Sequence, residues 1–186
     1  MTTERTTRTE APAVGTYLLD PSHSDLRIVA RHLMVSKVTG TFGEITGTIE
    51  VADNPVDSRV EIVAEAASVT TGTSDRDNHL RSPDFLDAEK YPEITFRSTA
   101  IGPNGQDWKL TGDLTIRGVT KPATFDLVYE GDATDPYGNR KTAFTASGQI
   151  DREAWGLIWN VPLEGGGVLV SKHFKVEFDA QGVLQA

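Results

Sequence analysis

The sequence predicts an all-β fold of about eight antiparallel strands, arranged as a sandwich or a barrel. Apolar and polar residues alternate with a period of two in separate runs, most regularly at 59–66 and 108–117. Clusters of Gly, Pro, Asn and Asp separate these runs, as at 53–55 and 135–139. Every connection is short enough to join antiparallel neighbours. Periodicity alone does not distinguish a sandwich from a barrel.

The size and composition of the chain limit its class. Its 186 residues suffice for one domain with a sizeable core. Because there is no cysteine, disulfides, thiolate nucleophiles and cysteine metal sites are excluded. A formal net charge of -9 argues against nucleic acid, and against an anionic membrane surface, as the main partner.

The ends and the hydropathy of the chain predict its organisation. No apolar run approaches the roughly 20 residues of a membrane span, so we expect no stable membrane insertion. The first residues are polar and lack the apolar stretch of a signal peptide. We therefore predict a disordered tail at residues 1–14, one domain at 15–182 and a cytoplasmic location.

One segment, 73–98, interrupts the alternation. Ser74 with Asp77 three residues later is typical of a helix N-cap, which predicts a short helix over 75–81. Ser82 followed by Pro83 predicts a second helical turn. The sequence thus predicts a helical insert at about 74–90 that carries three large apolar residues, Leu80, Phe85 and Leu86.

The sequence contains few candidates for catalysis. The motifs of nucleophile elbows, dinucleotide folds and phosphate-binding loops are absent. On a helix, Asp75 and His79 share a face from which Asp77 points away, so we predict no metal site and assign both carboxylates to the helix N-terminus. His32 ends an inward-facing row, either as a hydrogen-bonded core residue or as a base that would need a nearby partner.

Five separated motifs stand in order along the chain. They are Y-L-L-D-P-S-H-S at 17–24, R-D-N-H-L-R-S at 76–82, D-F at 84–85, Y-P at 91–92 with Phe96 and Ser98, and L-T-I-R-G-V-T-K-P at 114–122. Together they resemble the YceI-like, polyisoprenoid-binding family. G-T-F at 40–42 and I-D-R at 150–152 extend the resemblance, with Trp155 where a Phe is more usual. The similarity covers roughly 17–178.

The resemblance implies a lipocalin-like antiparallel β-barrel of about eight strands with a helix near its mouth, a barrel about wide enough for one small ligand. It also implies a long isoprenoid chain, or an isoprenoid quinone, in the lumen. Members of this family are often exported and several form dimers, so a homodimer is a possible state. We expect a hydrophobic small-molecule ligand, no other cofactor and no nucleic-acid partner.

Strand parity selects the residues that would face the lumen. The predicted lining is Ile28, Ala30, Phe42, Val60, Ile62, Ala64, Phe96, Leu114, Ile116, Phe125, Leu127, Phe144, Ala146 and Phe174, with Leu80, Phe85 and Leu86 as a lid and His32, Arg76 and His79 as polar groups at the mouth. The leading hypothesis is non-enzymatic binding. The alternatives are an enzyme with His32 or His79 as acid/base, and a solid sandwich used for protein contacts.

Overall fold

The computed structural model describes residues 11–186, in which eleven β-strands form one antiparallel sheet. In chain order they are β1 (Gly15–Leu19), β2 (Asp25–His32), β3 (Ser36–Phe42), β4 (Ile45–Val51), β5 (Arg59–Glu65), β6 (Val69–Thr70), β7 (Glu93–Asn104), β8 (Asp107–Ile116), β9 (Val119–Thr134), β10 (Arg140–Asp151) and β11 (His173–Leu184). One helix, α1 (Ser74–Arg81), lies between β6 and β7.

The sheet closes on itself. β11 pairs with β10 along its whole length, with β2 near its start and with β1 near its end, where Tyr17 lies opposite Leu184. The ring runs β1, β4, β5, β7, β8, β9, β10 and β11 and returns to β1. The predicted barrel of eight strands is confirmed, and the sandwich alternative is wrong.

Three bends explain how eleven strands fill eight positions. β1 and β2 share one position in the ring, β3 and β4 share the next, and β5 and β6 share a third. The pairings show this, because β1 and β2 pair with β4 and β3 respectively, and β4 and β3 pair in turn with β5 and β6. The bends lie at the 3₁₀ turn Pro21–His23, at Gly43 and at the 3₁₀ turn Ala66–Ser68. Bent strands let the wall curve around a lumen.

The wall opens between β6 and β7. The N–H of Ala66 donates to the carbonyl of Pro92 at 2.8 Å, and beyond this bond β6 pairs only with β3 in the described chain. The insert fills this opening. The helix of the insert ends at Arg81, because Ser82 precedes Pro83 and takes extended backbone angles (ψ 168°). Turns follow as far as residue 90.

The insert is fixed to the β8–β9 turn. Arg117 and Gly118 form that turn with φ values of 50° and 73°, and a Cβ at Gly118 would lie 2.7 Å from the ring of Tyr91. Glycine is therefore required at position 118 for two reasons, the positive φ of the turn and the close approach of the Tyr91 ring. The carbonyl of Phe85 also accepts a hydrogen bond from Arg117 at 3.1 Å.

The predicted tail falls mainly on residues 1–10, which lie outside the described residues. Within the described part, the N–H of Ala13 donates to Asp132 at 3.2 Å, and the hydroxyl of Tyr17 donates to the carbonyl of Ala13 at 2.8 Å. Tyr17 is fully buried and packs with Ile49 and Val51. Side chains therefore close the end of the barrel at which Tyr17 lies.

Candidate functional site

An apolar cavity of about 390 Å³ lies inside the barrel. All fourteen residues that parity selected lie around it, namely Ile28, Ala30, Phe42, Val60, Ile62, Ala64, Phe96, Leu114, Ile116, Phe125, Leu127, Phe144, Ala146 and Phe174. Two bulges interrupt the wall, one in β7 after Ser98 and one in β9 opposite Ala143. Both lie past the predicted lining residues of those strands, so neither reverses their parity. That these residues bind a ligand stays a prediction.

The predicted lining was incomplete. Leu26, Val176 and Phe178 belong to inward rows and could have been found by the same parity. A second group comes from the irregular segment 157–170, which has no periodicity from which a direction could be inferred; its members on the cavity are Leu157, Trp159, Leu169 and Val170.

The cavity reaches solvent at one end, which we call the mouth. Most of the polar residues on its lining lie there, namely Arg31, His32, Thr71, Arg76 and His79; the other is Thr95 on β7. Arg31 and Arg76 are exposed, so the cavity is continuous with solvent beside them. The mouth is bordered by the β2–β3 turn, α1 and the segment 157–170.

The predicted lid residues Leu80, Phe85 and Leu86 all lie on the cavity. Phe85 is 4% exposed, and its ring lies 5.4 Å from that of Trp159 across the mouth. The ring of His79 contacts both, at 5.1 Å from Phe85 and 4.5 Å from Trp159. An aromatic cluster therefore joins the insert to the segment 157–170 over one side of the mouth.

The charged residues of α1 bind the open edge of β6. Arg81 donates to the carbonyls of Ala67 and Val69, each at 2.7 Å. Arg76 donates to the hydroxyl of Thr71 at 2.7 Å and to its carbonyl at 3.2 Å. These side chains satisfy backbone carbonyls that a neighbouring strand would otherwise pair. The two arginines of the R-D-N-H-L-R-S motif thus attach the insert to an unpaired sheet edge.

The predicted helix cap is wrong in detail. Thr73, not Ser74, is the N-cap residue, and it makes no side-chain cap bond. Asp77 is buried and accepts from the N–H and hydroxyl of Thr71 at 2.7 and 2.6 Å, and from Thr70 at 3.0 Å. The carboxylate therefore caps the end of β6 rather than the helix.

The environment of Asp77 makes the attachment of the insert depend on pH. Burial acts to raise the pKa of Asp77, but hydrogen bonds from Thr71 and Thr70 and the charge of Arg81 outweigh it, so the pKa lies below its ordinary value. A carboxyl with a lowered folded-state pKa adds stability above the unfolded pKa of about 3.9, and this is lost as pH falls through the folded value.

We expect Asp77→Asn to lower the free energy of unfolding by about 1–3 kcal/mol at neutral pH. The difference from the native protein should begin to shrink below a pH of about 4, where Asp77 becomes protonated in the unfolded chain, and should shrink further as pH falls through the lower pKa of the folded state. Urea unfolding at several pH values measures this. A constant difference down to the acid limit would show that the Asp77 charge is not involved.

The two histidines differ in their surroundings. Nε2 of His79 lies 2.8 Å from Oδ2 of Asp84, at a half-exposed position beside the mouth. His32 lies on the cavity, where its backbone bridges to Val170, and its ring makes no hydrogen bond within residues 11–186. Of these two candidates, only His79 has the carboxylate partner that acid/base chemistry needs.

A fully buried arginine holds the segment 157–170 in place. Arg152 donates to four backbone carbonyls, those of Ser171 at 2.9 Å, Trp159 at 3.0 Å, Val170 at 3.5 Å and Leu157. Its guanidinium also lies 5.7 Å from the ring centroid of Phe174, on the cavity. Burial lowers the pKa of Arg152, although a guanidinium stays charged at any ordinary pH.

Two other features are absent from the part of the chain that the structure describes. Residues 11–186 contain no group of three or more His, Cys, Asp or Glu side chains that could hold a metal ion. Across the same residues, no helix has the length and apolar character needed to cross a membrane.

The family model described as the YceI-like domain matches residues 17–182. The chain belongs to the YceI-like family. This YceI-like chain is 38% identical to a UPF0312 protein of Staphylococcus epidermidis over 164 residues, which cover 87% of this chain and 94% of that protein. The resemblance inferred from the motifs is therefore confirmed.

Solved structures share the fold of this chain. BcnA of Burkholderia cenocepacia matches with a TM-score of 0.75 at 21% identity, covering 88% of this chain and 98% of that one. A polyisoprenoid-binding domain from Saccharophagus degradans matches with a TM-score of 0.67 at 15% identity, and the match covers 93% of this chain and 100% of that one. At these identities the likeness is one of fold.

Proposed function

We propose that the protein binds a long isoprenoid chain, or the isoprenoid tail of a quinone or similar lipid, in the barrel lumen and sequesters or carries it without changing it. One observation carries the proposal: the closed barrel holds an apolar cavity whose polar lining lies mainly at the mouth. Such a lumen favours a slim hydrocarbon chain and offers little to recognise along its length.

Burial energetics suit a chain of several isoprene units. Each unit has five carbons, and burying it contributes roughly 4 kcal/mol at about 0.8 kcal/mol per carbon. Association costs on the order of several kcal/mol in lost freedom, and micromolar affinity needs about 8 kcal/mol net. On this estimate about four buried units suffice. The Saccharophagus degradans domain of the same fold, described as polyisoprenoid-binding, supports this ligand class.

The test is to extract the purified protein with organic solvent and identify what is released by mass spectrometry. Delipidated protein is then offered polyprenols and isoprenoid quinones of several lengths, and uptake is measured by co-elution. We expect uptake that rises with chain length until the lumen is full. Failure of folded, delipidated protein to take up any of these chains would contradict the proposal.

A catalytic role is the alternative, and the His79–Asp84 pair is the observation that favours it. We expect bound chains to be recovered with unchanged mass after long incubation, and His79→Gln to take up ligand with an affinity within about threefold of the native protein. A product formed by native protein and not by His79→Gln would make the protein an enzyme.

The remaining expectations stay predictions. No cofactor other than the ligand, no nucleic-acid partner, a possible homodimer and a cytoplasmic location are all consistent with this proposal, and none is needed for it. Light scattering on the eluting protein measures the oligomeric state.

A further inference from the structure

The turn between β2 and β3 carries three exposed apolar side chains at the mouth. Leu33, Met34 and Val35, which we call the tip, are 43%, 55% and 80% exposed. None of them lies on the cavity. Exposed apolar residues are ordinary when scattered, but three in succession on one turn need an explanation.

The backbone of the tip disfavours these residues. Leu33 and Met34 have φ values of 54° and 58°, and the N–H of Val35 donates to the carbonyl of His32 at 3.1 Å. These are the features of a type I′ turn, in which Asn-Gly is strongly preferred. Large apolar residues are therefore kept here against the local backbone preference, which suggests a role other than folding.

The tip continues into the other side of the mouth. The N–H of Leu33 donates to the carbonyl of Leu169 at 2.8 Å, and the N–H of Leu169 donates to the carbonyl of Val161 at 3.0 Å. Val161 is 41% exposed, and Ile158 on the same segment is 70% exposed. We call the tip together with Ile158 and Val161 the apolar rim.

The charged residues on either side of the tip are both positive. Arg31 and Lys37 lie directly opposite each other on β2 and β3, and both are exposed. Within residues 11–186 neither makes an ion pair, and no acidic residue occurs between them in the chain. Like charges at paired positions are unfavourable, and an anionic surface would relieve this. The charge of this turn is thus opposite in sign to the net charge of -9 for the whole chain.

We propose that the apolar rim docks reversibly on a bilayer that contains anionic phospholipid, with the tip in the interfacial region and Arg31 and Lys37 against the headgroups. Because charges beyond about 8–10 Å are screened at physiological salt, these two cations act although the body is acidic. The mouth then faces the bilayer, and a hydrocarbon chain passes from the bilayer into the lumen, or back, without crossing water. This last step rests on the proposed function.

The test is flotation of the protein with vesicles of phosphatidylcholine, with and without phosphatidylglycerol. We expect native protein to bind the anionic vesicles more tightly, with an affinity that falls as salt rises. The variant L33N/M34G should bind at least about tenfold more weakly, because it loses two apolar anchors. It introduces the pair that a type I′ turn prefers, so its fold and its uptake of detergent-solubilised chains should be kept.

The matched control is Tyr137→Ser, which removes a side chain that is 90% exposed in the β9–β10 turn at the far end of the barrel, and it should bind vesicles like the native protein. Arg31→Gln with Lys37→Gln should abolish the preference for anionic vesicles. Native protein that takes up ligand but binds no vesicles, or a tip buried in a homodimer, would overturn the docking inference and leave the proposed function intact. Vesicle binding without ligand uptake would contradict the proposed function and leave the docking inference intact.

Discussion

Replacing Arg152 with methionine is expected to lower the free energy of unfolding by about 3–4 kcal/mol. The guanidinium is 0% exposed and donates to four backbone carbonyls. Methionine has a comparable length and no donor, so the four acceptors would be left in a buried site without partners. The segment 157–170 should then detach from the mouth.

Urea unfolding monitored by fluorescence measures this loss, because Trp159 lies on the segment that Arg152 holds. Arg152→Lys keeps the charge but cannot reach the four carbonyls with one ammonium group, so it should be destabilised almost as much. The control is Arg97→Met, whose side chain is 74% exposed in an ion pair with Glu61 and should change stability by less than about 0.5 kcal/mol. Equal stability of both methionine variants would refute the role assigned to Arg152.

Replacing Ala146 with tryptophan is expected to reduce uptake of a long isoprenoid at least about tenfold while the protein stays folded. Ala146 lies on the cavity between Leu127 and Phe178 on the paired strands. Its side chain is only partly buried, so the lumen has room beside it for an indole ring. The ring would then occupy the space that a ligand chain needs.

Gln149→Trp is the matched control for Ala146→Trp, because Gln149 is exposed on the outer face of the same strand. It should take up ligand like the native protein. Ala64→Phe is a harsher change, since Ala64 is 2% exposed, and it should cost stability as well as uptake. Normal uptake by folded Ala146→Trp would mean that ligands bind elsewhere.

The strands and the lumen-facing residues could be predicted because a strand has a simple period. Once one inward residue of β10 is known, Phe144, Ala146 and Ile150 follow by parity, and no bulge in β10 reverses it. The same reasoning could not locate Leu157 or Leu169, since an irregular segment places each side chain by its own backbone angles.

The polar residues were harder to predict. Asp77 has the spacing of a capping residue, yet it binds Thr70 and Thr71 because β6 ends without a neighbour there. Arg152 is part of a recognisable motif, but its role depends on four carbonyls up to 19 residues away in the chain. A single sequence does not contain these distances.

The sequence by itself determined the all-β class, the position of the insert, the inward faces of the strands and the family, because alternation and motif order are local properties. Only the tertiary structure decided that the sheet closes, that the insert covers an open edge between β6 and β7, and that the apolar tip lies beside the mouth. Closure, edge pairing and the meeting of distant loops depend on long-range contacts between segments far apart in the chain.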